Sequence, residues 1–313
     1  MADRRRLALA VVVTIALFLT IQFGALALAE PFEVADRQVV EDPEDPGSSV
    51  IFILAILVAT AVMLAGFRFN AELMIRGVLI LVSGSLAWIV FRDVLPAIMV
   101  GPLHAPAAIG TLGVVAGLAL YPEWYVIDIA GIVMGAGAAG LFGISLGIFP
   151  VMLFLVALAI YDAISVYRTE HMLSLAEGVM DLRVPVVLIV PVTAGYSVFE
   201  DDPDIPDAAS AEDDDPERDA FFIGLGDAVI PTILVVSVAV FGAGDPFAIP
   251  VVTLTGPALG AIVGTILGLT TLLYFVHRGR AHAGLPLLNG GAILGYLAVA
   301  LAGGVPLREA IGL

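Results

Sequence analysis

The chain contains no cysteine and no lysine. The first absence removes disulfides, thiolate nucleophiles and Cys-ligated metal, and leaves the redox compartment open. The second leaves arginine as the only abundant cation. Charge is scarce throughout: 14% of the 313 residues are charged, against 60% hydrophobic. Soluble domains are seldom this apolar, and uncharged runs of about 18 residues or more recur along the chain. A mean hydropathy of +1.06 agrees. The expected fold is an all-α polytopic membrane protein, with the lipid bilayer as its principal partner. The formal net charge of −17 is local, since residues 30–45 and 200–219 hold 18 of the 30 carboxylates. The remainder is close to neutral, so nucleic-acid binding is disfavoured. His104, His171, His277 and His282 are scattered with no two at helical i, i+4 spacing, so neither a metal nor another cofactor is expected.

A span needs ~20 apolar residues. By that measure nine transmembrane helices are expected, at 7–29, 50–67, 76–98, 101–120, 126–147, 150–167, 219–241, 249–276 and 284–303. The first resembles a signal peptide, but its apolar part from Leu7 to Ala29 exceeds an h-region of ~7–15 residues, so a retained helix is expected. The run "VPVVLIVPV" (184–192) is too short to span and is expected to extend the sixth helix as an interfacial segment. With the N-terminus cytoplasmic, ten arginines fall inside, against Arg37, Arg92 and Arg308 outside. That bias supports an N-terminus inside and a C-terminus outside. Residues 1–198 then form a six-helix part, 199–218 an acidic cytoplasmic linker, and 219–313 a three-helix part.

Glycine marks the helix contacts. Gly256, Gly260, Gly264 and Gly268 recur at four-residue spacing, and Gly131 with Gly135 and Gly143 with Gly147 repeat it in the fifth helix. Small residues at this spacing let backbones approach closely in lipid. Packing within the bundle is the expected use, with a homo-oligomer interface as the alternative.

Two carboxylates stand well inside predicted spans. Asp162 lies in "LFLVALAIYDAISVYR", six residues before Arg168, and Asp227 lies in "FFIGLGDAVIP", eight residues after Asp219. At ~1.5 Å per residue the two sit at matching depth on antiparallel neighbours. A membrane-centre carboxylate costs at least ~2.5–3.5 kcal/mol, so a bare pair points to function. Like charges a few ångströms apart cannot both ionise, so such a pair shares a proton and can act as acid and base. Gly224 and Gly226 bracket Leu225 and bare the backbone beside Asp227, while Tyr161 brings a hydroxyl next to Asp162. Pro286 in "GLPLLNGG" would free backbone groups at the same depth. Asp128 is expected at the interface near a cytoplasmic helix end, Arg92 and Asp93 at an outer helix end, and Tyr121, Trp124 and Tyr125 in an aromatic belt. Paired intramembrane aspartates also serve ion-coupled transporters, and a leak channel or scaffold is a further alternative.

"YD" on one helix, "GLGD" on the next, and a proline-containing "PxL" element opening the last resemble the presenilin and signal peptide peptidase family of intramembrane aspartic proteases. The division into six and three helices matches, and the short N-terminal part and orientation look most like an archaeal presenilin homologue in a plasma membrane. The resemblance implies an aspartic endopeptidase that cuts transmembrane protein substrates, with Asp162 and Asp227 as the catalytic pair. It makes Pro286, Leu287 and Leu288 the counterpart of the family's Pro-Ala-Leu. Here the middle residue is leucine, and the linker lacks an obvious hydrophobic cleavage segment.

Overall fold

The computed structural model describes residues 2–69, 71–168, 186–191, 196–197, 220–247, 249–277 and 282–313. The acidic stretch 199–218, and with it the linker reading and any self-cleavage there, lies outside the described residues. The helices are α1 (Ala2–Val34), α2 (Pro46–Arg68), α3 (Glu72–Val94), α4 (Ala105–Leu120), α5 (Trp124–Ser145), α6 (Ile148–Arg168), α7 (Leu225–Phe241), α8 (Gly256–His277), α9 (Gly284–Ala302) and the short α10 (Leu307–Ala310). Seven of them are long and apolar enough to cross a membrane; α4 and α7 are apolar but shorter.

Helix boundaries follow local chemistry. Pro46 opens α2 and Asp45 caps it, its Oδ1 accepting from the Gly47 N–H at 2.8 Å. α3 stops at Val94 because Pro96 biases Leu95 to extended backbone, φ −81° and ψ 149°. The expected helices 76–98 and 101–120 are therefore separated by a small hairpin. Its strands are β1 (Met99–Val100) and β2 (Leu103–His104), and Gly101 takes the positive φ of 63° that the turn requires. Asp93 at the end of α3 receives both Nε and an Nη of Arg37, at 2.8 and 2.9 Å, which ties the end of α1 to that of α3.

α1 is an integral part of the bundle: Phe18, Ile21, Ala25 and Phe32 are fully buried along it. It packs, together with α7, against the glycine-rich face of α5. A Cβ placed at Gly135 would lie 3.1 Å from Leu225 and 3.5 Å from Ile21, and one at Gly140 would lie 3.1 Å from Phe32. α7 is enclosed nearly all round, with Thr232 through Ala239 buried, so its 17 residues serve as a core helix.

The predicted helix 219–241 is two elements. Ala220–Gly224 form β4, which pairs antiparallel with β3 (Val187–Pro191), with Val187 opposite Gly224 and Pro191 opposite Ala220. The interfacial-helix expectation for 184–192 is thereby corrected wherever that stretch is described. The reason is visible in composition: "VVLIV" between prolines and "AFFIG" are β-branched or aromatic runs with punctuated ends. A Leu225 N–H bond to the Val186 carbonyl at 2.9 Å joins the sheet to the start of α7.

The regularly spaced glycines of α8 pack inside the chain. A Cβ at Gly264 or Gly260 would overlap the carbonyl of Gly291 or Gly295 on α9, and the reverse holds as well. Gly264→Val is accordingly expected to destabilise the protein by about 1–3 kcal/mol through overpacking. Gly77→Val, where nothing lies within 4 Å, should be nearly neutral. Thermal unfolding of both variants in detergent checks the contrast.

Candidate active site

Three helix ends meet at one end of the bundle. Asp162 lies six residues before the end of α6, Asp227 is the third residue of α7, and Gly284 opens α9. Asp162 is 8% exposed, and its Oδ2 accepts from the Leu285 N–H at 3.0 Å. The first four N–H groups of a helix lack intrahelical acceptors, so a carboxylate supplied by α6 satisfies one of them where water is scarce. Asp227 comes to the same turn: a Cβ placed at Gly284 would lie 3.4 Å from its Oδ2. The two carboxylates thus converge on the successive residues Gly284 and Leu285.

Two further contacts hold α9 in register on α6. The Ala283 N–H donates to the Tyr167 hydroxyl at 3.4 Å, and the Asn289 Nδ2 donates to the Leu155 carbonyl at 2.9 Å. From Tyr167 through Asp162 to Leu155 the chain descends α6, while Ala283, Leu285 and Asn289 ascend α9. The three bonds form one polar seam between antiparallel helices. Asn289 is fully buried, which makes its single bond worth more to the register than a surface contact would be.

The sequence-predicted residues divide around this centre. Gly224 is the last residue of β4 and precedes α7; a Cβ there would lie 3.3 Å from Asp227 Oδ2, so the bare backbone stands beside the carboxylate. Leu225 is buried and packs with Phe18, Ile21 and Met134, whereas Gly226 is exposed. Pro231, four residues past Asp227, has no N–H to give the Asp227 carbonyl, so that backbone group lacks its usual helical donor. Tyr161 is 42% exposed, whereas Asp162 next to it is 8% exposed. Pro286 sits in the first turn of α9, where a missing N–H costs no helical bond, so the free backbone groups there belong to the helix N-terminus itself. Pro286 and Leu287 line an apolar groove of about 820 Å³ between α8 and α9, and Leu288 is fully buried among core residues. The residues that meet the aspartates are Gly284 and Leu285, just before the expected triplet. Sequence reasoning also missed Asn289 and the β3–β4 sheet. Among the described residues no cluster of three or more His, Asp or Glu could hold a metal.

A multi-helix membrane bundle with two carboxylates from neighbouring helices brought to one helix N-terminus defines a class, a polytopic membrane protein with a two-carboxylate centre. Comparison with known families assigns it. The family described as "Signal-peptide peptidase, presenilin aspartyl protease" matches residues 15–305. A solved presenilin family intramembrane aspartate protease in space group C222 is 35% identical, with TM-score 0.66, covering 93% of this chain and 99% of that one. Another, in space group P2, is 37% identical with TM-score 0.61, covering 92% and 96%. No curated protein matched the chain. The chain belongs to the signal peptide peptidase and presenilin aspartyl protease family, and it is an intramembrane aspartic protease. The carrier and leak-channel alternatives find no support in these relationships.

Gly284 gives a graded test. Its Cβ position meets Asp227 at ordinary contact distance and Leu272 at 3.3 Å, so Gly284→Ala should keep most activity. Gly284→Leu must displace Asp227, and its cleavage rate is expected to fall by about 10²-fold or more, the cost of misplacing a reacting group by ~1 Å. Initial-rate assays of both variants, with unfolding temperature as the control, read this out.

Proposed function

We propose that Asp162 and Asp227 are the catalytic pair, and that this protease hydrolyses peptide bonds within transmembrane helices of other proteins. The observation that carries the reading is the convergence of both side chains on Gly284 and Leu285, through a 3.0 Å bond for Asp162 and, for Asp227, an Oδ2 that lies 3.4 Å from where a Cβ at Gly284 would stand. Two carboxylates at one point share a proton. The ionised member draws a proton from a water, whose oxygen attacks the scissile carbonyl carbon. The protonated member donates to the carbonyl oxygen as the tetrahedral intermediate forms. Transfer of a proton to the amide nitrogen then breaks the carbon–nitrogen bond, and the pair returns to its starting state.

Helical amides are shielded by their own hydrogen bonds, so the substrate must unwind before attack. The sheet supports such a step. With Leu225 N–H bonded to the Val186 carbonyl, the antiparallel parity turns both main-chain groups of Phe222 to the outer side of β4, where no described residue bonds them. An extended substrate segment can add there as a strand, five residues from Asp227. The first turn of α9, Gly284–Leu285–Pro286, serves in this reading as the active-site element that the sequence assigns to Pro286, Leu287 and Leu288. Nine spans with a cytoplasmic N-terminus and an outer C-terminus follow from the arginine distribution, with α4 and α7 counted as short spans. That orientation sets the pair in the cytoplasmic part of the membrane.

Asp162→Asn and Asp227→Asn are each expected to lower cleavage of a single-span substrate by at least 10²–10⁴-fold, the usual contribution of an acid–base group, in a protein that remains folded. Mass spectrometry of the products checks the loss, and size-exclusion behaviour checks the fold. Substantial turnover by either variant would end the reading.

A further inference from the structure

Asp128 takes no part in the chemistry above, yet it is buried inside the protein. It lies in the second turn of α5, is 6% exposed, and its Oδ1 accepts from the Ile189 N–H of β3 at 2.8 Å. The parity that sends Phe222 outward on β4 also sends Ile189, its partner in the register, outward on β3. The Asp128 carboxylate therefore sits on the outer edge of the sheet and not within its ladder. The two edges differ accordingly. Leu188, Ile189 and Val190 are buried against α5 and its neighbours, while all five residues of β4 stay half-exposed.

A two-stranded sheet has two open edges, and either can recruit a third strand. We infer that Asp128 is a positioning residue of the protease: by bonding Ile189 it closes the β3 edge and pins the sheet to α5, so that substrate is laid along β4 in one register. This rests on the proposed role of Asp162 and Asp227 and on strand addition at β4. Asp128 acts through the backbone of Ile189 and touches neither the substrate nor the reacting atoms. The role needs an acceptor and not a charge, because a backbone N–H is its only partner among the described residues.

The test uses the full chain with a single-span substrate and four variants: Asp128→Asn, Asp128→Ala, Ile189→Pro and Asp227→Asn. Steady-state kinetics, product masses and the affinity for an aspartic-protease transition-state analogue are measured for each. Asp128→Ala is expected to raise KM by about tenfold and to spread cleavage over neighbouring bonds, with the analogue still bound within about threefold of wild type. Asp128→Asn keeps an amide oxygen for Ile189 and should restore wild-type KM and product masses. Ile189→Pro removes the donor at an edge position that the ladder does not use, so it should reproduce the product pattern of Asp128→Ala even where that variant folds poorly. A fifth variant combining Asp128→Ala with Ile189→Pro should then be no worse than either single one. Wild-type KM and a single product pair in both Asp128→Ala and Ile189→Pro would overturn the inference, as would an Asp128→Asn no better than Asp128→Ala. If Asp227→Asn is inert in those same assays, the catalytic reading stands without it; cleavage by Asp227→Asn overturns both.

Discussion

The bond from the Leu285 N–H to the Asp162 carboxylate is the constraint on which the active end of the molecule depends. A helix that begins inside a low-dielectric environment leaves N–H groups that must find acceptors. α9 finds one on α6, and the acceptor is the same side chain that the proposed chemistry uses. The same turn, lacking a side chain at Gly284, lets Asp227 approach. Capping the helix and assembling the carboxylate pair are thus one event. The seam from Tyr167 to Leu155 extends that event along about three turns of α6 and fixes the register in which it occurs.

Glycine makes the rest of the packing compatible with this register. α8 and α9 meet backbone to backbone at Gly260, Gly264, Gly291 and Gly295. The glycine face of α5 lets α1 and α7 approach, which carries Asp227 to its place at the head of a buried helix. Association in lipid gains little from hydrophobicity, because the solvent is as apolar as the side chains. Close van der Waals contact and a few buried polar bonds supply the specificity. Small residues are the means of one, and Asp162, Asn289 and Asp128 are the means of the other.

Much of this was legible in the residues. "YD" and "GLGD" marked the carboxylates because a charged residue inside an apolar run is costly enough to need a reason. The glycine spacing of α8 announced a close helix contact, and the structure pairs that ridge within the chain. The sheet was hidden in plain hydrophobicity: "AFFIGLG" reads as the start of a span until the β-branched run at 186–190 is allowed to pair with it. Periodicity cannot separate a short apolar strand from a helix end, and a pairing partner some thirty residues away leaves no local trace. Pro286 drew attention to the right turn of the chain, in which the residues just before it, Gly284 and Leu285, meet the two aspartates. Sequence marks where proline stands, whereas the neighbouring helix decides which backbone N–H is used.

What the sequence by itself determined is the membrane setting, most of the helix-forming segments, and which two aspartates stand within apolar runs. Those follow from composition and from distances along one segment, which a chain carries without reference to its fold. What only the tertiary structure decided is who meets whom: Gly284 and Leu285 as the residues at the pair, Asp128 as the partner of a strand edge, and Asn289 as the lock between α6 and α9. Each is a contact between segments far apart in the chain, made by groups that every residue of their kind possesses. Their selection rests on packing distance and hydrogen-bond direction, which exist only once the helices have come together.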